Sequence, residues 1–281
     1  MSIKLVTDST SDLPIELVEK LGIKVLPLRV NFKEKSYLDG IELKPEEFYE
    51  KLVTAKELPT TSQVTPGEFV EIFQQLLDDG HEVLGIFIAK ELSGTFSSAS
   101  LAKDTIGSDK IHIFDSRGVN AMIGLMLIEA AKMIQAGASA EDIMKRIQLM
   151  SKNMKCIIMI DTLKYLVKGG RLSKTQGAAG GLLNLKPIIK IEDGVVETIH
   201  KARGTAKAVK WIMDWVKEGG YVLSNKTVFV VNSNDFEFGE RIKKTLVENF
   251  KVKEVIQAQI GSVVGTHSGP GCGGIIFCAI D

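Results

Sequence analysis

Cysteine is scarce in this chain. Its three residues, Cys156, Cys272 and Cys278, are odd in number and none forms a CxxC pair. That spacing offers neither a disulfide framework nor a zinc site, and it fits buried thiols of a reducing compartment. Net charge is missing too, since Lys and Arg number 35 and Asp and Glu number 35. A chain with no excess charge has no field to draw in a polyanion, and no basic recognition helix is visible, so nucleic acid is excluded as a partner. No apolar run approaches the roughly 18 residues of a membrane span. The opening MSIKLVTDSTSDLP lacks a charged segment followed by an apolar one, so no signal peptide is expected. Together these absences predict a soluble, cytoplasmic protein.

Catalytic and metal templates are also missing. With only four histidines, there is no His-x-x-x-His pair, and no dense Asp/Glu/His cluster suggests a metal or other cofactor. No Gly-x-Ser-x-Gly elbow presents a nucleophile. Lys168-Gly169-Gly170-Arg171-Leu172-Ser173-Lys174-Thr175 has the flavour of a P-loop, but Lys168 and Ser173 stand where glycines are required. Gly269-x-Gly271-x-x-Gly274 matches the dinucleotide fingerprint by letter. That fingerprint must leave a strand and open a helix whose N–H groups hold a pyrophosphate. Here the glycines are followed by the apolar run Ile275–Ile280, which reads as a buried strand. What remains is a glycine-rich loop presenting Thr266, His267 and Ser268.

What is present is a regular alternation. The 281 residues, 44% of them apolar, suffice for two domains with real cores. Strands are expected at Ile3–Val6, Lys24–Val30 (an edge strand, given its proline), Val83–Ala89 and Lys110–Phe114. Helices are expected after Asp12 and Pro14 up to Gly22, and over 45–54, 66–77, 95–105, 121–135 and 140–150. Strand and helix in turn predict a doubly wound parallel sheet. Beyond a strand at Ile157–Ile160 and a Gly-punctuated helical stretch to about Leu185 the pattern changes. Lys186–Glu192, Asp193-Gly194 and Val195–His200 read as a β-hairpin, because Asp-Gly suits a type I′ turn. Helices over 205–217 and 236–250, a strand at Thr227–Val231 and two short closing strands complete the chain. The expected class is α/β with two domains. Residues 1–155 form an α/β domain with hydroxyl-rich ligand loops. Residues 156–281 form an α+β domain with a mixed or antiparallel sheet.

In a doubly wound sheet, ligands bind beyond the carboxyl ends of the strands at a topological switch point. The loops expected there, Asp8-Ser9-Thr10-Ser11 and Ser93-Gly94-Thr95, are rich in hydroxyls, as is Thr60-Thr61-Ser62. Each hydroxyl alone is an ordinary helix cap; three such stretches suggest a convergent pocket. His81 and His112 read as structural, whereas small residues surround His267 and let its loop approach a ligand. Arg171, Arg203 and nearby lysines read as a basic surface.

These landmarks resemble the DegV family. They are Asp8-Ser9-Thr10-Ser11-Asp12-Leu13-Pro14, Thr60-Thr61-Ser62-Gln63, Leu92-Ser93-Gly94-Thr95, Asp115-Ser116, Lys168-Gly169-Gly170-Arg171-Leu172 and Gly265-Thr266-His267-Ser268-Gly269-Pro270-Gly271. Each is weak alone, but they occur in family order along the whole chain. The resemblance implies a non-enzymatic carrier of a long-chain fatty acid such as palmitate, with the acyl chain buried and the second domain closing over it. The carrier presents the carboxyl group to a separate, dihydroxyacetone-kinase-like fatty acid kinase that makes acyl-phosphate, and transient exchange with a membrane is compatible with that role. By position, Thr61, Ser93 and His267 look like the carboxyl-binding residues, with Ser62 and Gly94 beside them. Arg203 looks like a partner-docking residue. The acyl tail is expected along the Met122–Met133 helix and the Gly177–Leu185 stretch, where methionine suits adaptable chains. An alternative makes Ser93 and His267 the pair of a lipid hydrolase or acyltransferase.

Overall fold

The computed structural model describes residues 2–172 and 185–280. Strand β1 (Ile3–Asp8) ends in a single 3₁₀ turn, Ser9–Ser11, and leads to helix α1 (Ile15–Leu21). Gly22, at φ 62°, stops that helix in the left-handed conformation that glycine adopts without strain. Strand β2 (Lys24–Leu26) then runs parallel to β1. The single strand expected over 24–30 is in fact two. Pro27 lacks the N–H to continue the ladder, and β3 (Arg29–Asn31) departs to a separate antiparallel sheet. There it lies between β4 (Ser36–Leu38) and β5 (Thr60–Ser62), with α2 (Pro45–Thr54) between them in sequence. The polar stretch at 60–62 is therefore a strand, stabilised by its ladder to β3 rather than by apolar content.

Helix α3 (Pro66–Asp78) opens with a capping box, in which Thr65 and Glu68 satisfy each other's backbone N–H groups. Strand β6 (Glu82–Phe87), α4 (Thr95–Ile106) and β7 (Ile111–Asp115) complete a four-stranded parallel sheet ordered β2-β1-β6-β7. The chain leaves β1 for β2 on one side and reaches β6 on the other, so the switch point lies between β1 and β6.

Helices α5 (Ala121–Gln135) and α6 (Ala140–Ser151) follow. Next come β8 (Met154–Met159), the short α7 (Lys164–Lys168), and the hairpin of β9 (Leu185–Glu192) and β10 (Val195–Arg203). The rest is α8 (Thr205–Glu218), β11 (Thr227–Asn232), α9 (Phe236–Phe250), β12 (Glu254–Gln259), α10 (Ser262–Ser268) and β13 (Gly273–Cys278). The second sheet is mixed and ordered β10-β9-β8-β13-β11-β12, with β11 and β12 its parallel pair. The fold is thus α/β, with one parallel and one mixed sheet.

Both faces of β8 are buried, which is why it reads as a near-continuous apolar run. Cys156 and Ile158 face the first sheet, whereas Ile157 and Met159 pack toward α8 and α9. Helix α5 lies between the sheets and touches β1, β6, β11 and β13. One apolar core therefore joins the two sheets through this helix, and further clusters fill their outer faces.

Candidate functional site

The site is built on the switch point. Asp8, at the end of β1, is fully buried. One of its carboxylate oxygens accepts from the Thr10 N–H at 2.9 Å and from the Thr10 hydroxyl at 2.5 Å; the other accepts from the Ile88 N–H at 2.9 Å. Burial raises its pKa, and these hydrogen bonds oppose the rise. The carboxylate thus ties the loop after β1 to the loop after β6. Asn120, at φ 61°, donates its N–H to the Thr10 carbonyl at 2.7 Å and its side-chain amide to Asp12 at 2.8 Å.

The same acidic loops capture the end of the chain. The Gly261 N–H donates to Asp12 at 3.0 Å and the Ser262 N–H to Asp39 at 3.1 Å. The Tyr49 hydroxyl donates to the Ile260 carbonyl at 3.0 Å. These bonds seat α10 against α2, α7, β3 and β5. The stretch expected as a loop bearing Thr266, His267 and Ser268 is therefore this helix, and its glycine-rich continuation begins only at Gly269, its C-cap.

On α10, His267 Nε2 lies 2.9 Å from the Thr61 hydroxyl of β5. Its Nδ1 is buried without a hydrogen-bond partner among the described residues, against Gly169, where a Cβ would collide with the ring. The tautomer that fits has the proton on Nε2, leaving Nδ1 a bare acceptor, which is cheaper to bury unpaired than a donor. Burial, and then the charge of Arg171, lowers the His267 pKa to about 4. The imidazole is therefore neutral near pH 7. It donates to Thr61, whose hydroxyl proton is then available to a ligand. Ser93, before α4, exchanges a hydrogen bond with the Thr95 hydroxyl at 3.0 Å. Arg171 donates from Nε to the Leu92 carbonyl at 3.2 Å and from Nη1 to the Gly169 carbonyl at 2.5 Å, which brings its cation beside Ser93 and His267.

Several of these groups line one partly open cavity. Thr10, Thr61, Ser93, Asn120, Arg171, His267 and Ser268 supply its polar wall. The remainder is aliphatic, including Ile158 and Ile160 of β8 and its continuation, Ile189 and Ile191 of β9, and Val196 of β10. From Ile160 to Cys156 the strand carries this apolar wall about 13 Å away from the polar cluster. Arg171 is the one side chain charged at neutral pH among the described lining residues. The arrangement suits a molecule with a single anionic head and an apolar tail. Among the described residues no His/Cys/Asp/Glu group could hold a metal.

Thr61, Ser93 and His267 are brought together. Ser62 and Gly94 stand beside them without lining the cavity. The Ser62 hydroxyl accepts from Asn31 at 2.8 Å, and Gly94 gives close passage to the Gln63 amide, which bonds Ser98 at 2.7 Å. Arg203 is exposed at the end of β10 and does not line the cavity. No residue of the expected Met122–Met133 helix lines the cavity; the first half of α5 is instead buried as core. Of the second expected tail stretch, residues 177–184 lie outside the described residues. Sequence reasoning missed Arg171 as a cavity residue by reading it as solvated surface. The backbone acceptors that turn it inward leave no mark in the sequence. His112 pairs with Glu82 at 2.6 Å, and His81 bonds Ser2 at 2.7 Å, both remote from the site.

Fold and cavity together define an α/β protein with one apolar cavity that carries a cluster of polar groups on its wall. The model of the DegV family, described as uncharacterised proteins, matches residues 2–279. The chain belongs to the DegV family. It is 39% identical over 275 residues to a DegV domain-containing protein of Caldanaerobacter subterraneus, covering 98% of each. It is 36% identical over 279 residues to protein DegV of Bacillus subtilis, covering 99% of each. Among solved structures, a DegV family protein of Thermus thermophilus, described as binding fatty acid, superposes with a TM-score of 0.93 at 31% identity over 100% of both chains. The B. subtilis DegV structure, described as a fatty acid binding protein, gives 0.89 at 35% identity, again over 100% of both.

Proposed function

We propose that this protein binds a long-chain fatty acid with its carboxylate at Thr61, Ser93 and His267 and its tail in the aliphatic cavity. The observation that carries this reading is the apolar cavity that has, among its described lining residues, one cluster of hydrogen-bond donors and one guanidinium. Each CH₂ moved from water into such a chamber contributes about 0.8 kcal/mol, so a tail of roughly 16 carbons supplies most of the affinity. The head group needs placement more than attraction, because a buried carboxylate is costly only while its oxygens lack donors. The Thr61 and Ser93 hydroxyls supply donors, and Arg171 offsets the charge while its Nε and Nη1 serve backbone carbonyls.

In this reading residues 1–155 provide the hydroxyl loops and residues 156–281 close over the acyl chain. The protein acts in the cytoplasm as a carrier with no cofactor and no chemistry of its own. It presents the carboxyl oxygen to a separate kinase of the dihydroxyacetone-kinase type, which docks at Arg203. Lipid hydrolysis has weaker support. The hydrogen bond of Ser93 goes to Thr95 and that of His267 Nε2 to Thr61, so among the described residues no base is positioned on the serine and no carboxylate orients the imidazole.

The test is mass spectrometry of the organic extract from purified protein, alongside a His267→Ala, Ser93→Ala double variant. A stoichiometric fatty acid, depleted in the variant, is the expected result. No lipid in either protein, with ester cleavage by the wild type alone, would overturn the reading in favour of a hydrolase.

A further inference from the structure

Strands β8 and β9 pair only from Ile157↔Lys190 to Met159↔Ile188, although β8 begins at Met154 and β9 continues to Glu192. Extending the register would set Cys156 opposite Ile191, yet the ladder does not reach them. The hairpin tip explains the opening, because it is drawn toward the other sheet. Asp193 pairs with Arg117 at 2.8 Å, and the Gly194 N–H donates to the Arg117 carbonyl at 2.8 Å. The far side of this slot opens into a second, partly open cavity walled by Trp211, Trp215 and Tyr221 with Lys155 and Lys190. Cys156 and Ile191 line both chambers.

The outer chamber suits the end of an alkyl chain. Trp215 and Tyr221 pack ring to ring at 5.2 Å, and Trp211 stacks on His200 at 4.6 Å, so broad aromatic surfaces are held in place. Lys190 is neutralised by Glu192 at 2.8 Å and Glu197 at 3.4 Å, and Lys155 lies over the Tyr221 ring. Their aliphatic stems rather than free charges are therefore what a tail meets. Cys156 at the passage is a small, protonated thiol.

We infer that acyl chains too long for the inner chamber thread between Cys156 and Ile191 and lodge their methyl end against Trp211, Trp215 and Tyr221. The site is then a two-chamber tunnel, open at its tail end, that accepts long and very long chains. This inference rests on the fatty-acid reading above.

Trp211 and Trp215 are the chain's two tryptophans, so intrinsic fluorescence reports directly on the outer chamber. Delipidated wild type is loaded with saturated acids of increasing length that carry bromine, a contact quencher, either on the last carbon or next to the carboxyl group. Binding is measured separately by mass spectrometry of the complex. The expected result is emission at least halved by long acids brominated at the far end, with little change for short ones or for bromine near the carboxyl group. Cys156→Phe should shift the bound population toward shorter acids and remove the quenching. Stoichiometric binding without quenching at any length overturns the tunnel and leaves fatty-acid binding intact. Equal quenching from both bromine positions also overturns it, because the acid would then lie wholly in the outer chamber. If no acid binds, the fatty-acid reading itself fails, and the tunnel with it. All three outcomes are read on wild type alone, so a variant that fails to fold does not shelter the inference.

Discussion

At the scale of single residues, the site places a neutral imidazole behind a hydroxyl. Thr61→Val keeps the shape and removes the relay. It should weaken fatty-acid binding about tenfold, the equivalent of about 1.4 kcal/mol for one hydrogen bond to a charged group, as read by competition with a fluorescent acid. The same residues set a pH signature. His267 titrates at about 4 when folded against an ordinary 6.5, so the unfolded chain takes the proton first as pH falls. Its contribution to stability is full above 6.5 and lost on the way to 4. Asp39 works the other way. Burial pushes it from 3.8 up to about 6, so the folded state binds the proton first and gains stability as pH falls from 6 toward 3.8. Asp8 and Asp12 are raised as well, in both cases chiefly by burial. Relative to wild type, His267→Gln should therefore gain stability between pH 6.5 and 4, whereas Asp39→Asn should lose it, each by roughly 1 to 3 kcal/mol. Urea unfolding at several pH values separates the two, and a common sign for both variants would show that these protons are assigned wrongly.

Among the elements, β5 matters most for its size. Three residues carry Thr61, and the strand is followed at once by the Thr65–Glu68 cap of α3, whose Glu68 also pairs with Arg29 of β3 at 2.7 Å. That pairing, together with the Thr65 bonds, holds the Glu68 carboxyl down to about 2. Thr65→Ala should cost about 1 kcal/mol, and calorimetry on delipidated protein measures it. The long periodic helices and the Asp-Gly hairpin were legible in the sequence, because period and turn chemistry are local. Strand β5 and helix α10 were not. Thr60-Thr61-Ser62 has no apolar alternation, and α10 is only seven residues long, seated by Asp12 and Asp39 more than 200 positions away. Thr61, Ser93 and His267, which line the cavity, stand in motifs visible in the sequence. The inward turn of Arg171 was not visible, since its direction depends on the Leu92 carbonyl, nor was the apolar wall, since β8 meets β9 only through tertiary pairing.

For the whole molecule, the shared core between the sheets makes ligand occupancy a stability term. At a free acid concentration a hundred times Kd, binding adds about 2.7 kcal/mol, so loading delipidated protein should raise Tm by several degrees. An unchanged Tm in the presence of stoichiometric acid would mean that the acid binds the unfolded chain as well as the folded one. Arg203 belongs to this scale as well, being exposed and outside the cavity lining. Arg203→Glu should leave the bound fatty acid in place while reducing acyl-phosphate formation by an added kinase, as measured by phosphate transfer. Loss of the lipid itself would show that the residue supports the fold instead. Among the described residues no helix is long and apolar enough to cross a membrane.

The position of β13 bears on how the protein comes into being. This strand, drawn from residues 273–278, is inserted between β8 and β11 in the middle of the six-stranded sheet. While the chain emerges from the ribosome, β8 and β11 each keep one raw edge until β13 arrives, and such edges invite wrong partners. His267 reaches Thr61 only in the same closing event. The cavity is therefore complete only once α10 and β13 are in place, and a stop codon just upstream of 273 should give insoluble protein rather than a weaker binder of fatty acid.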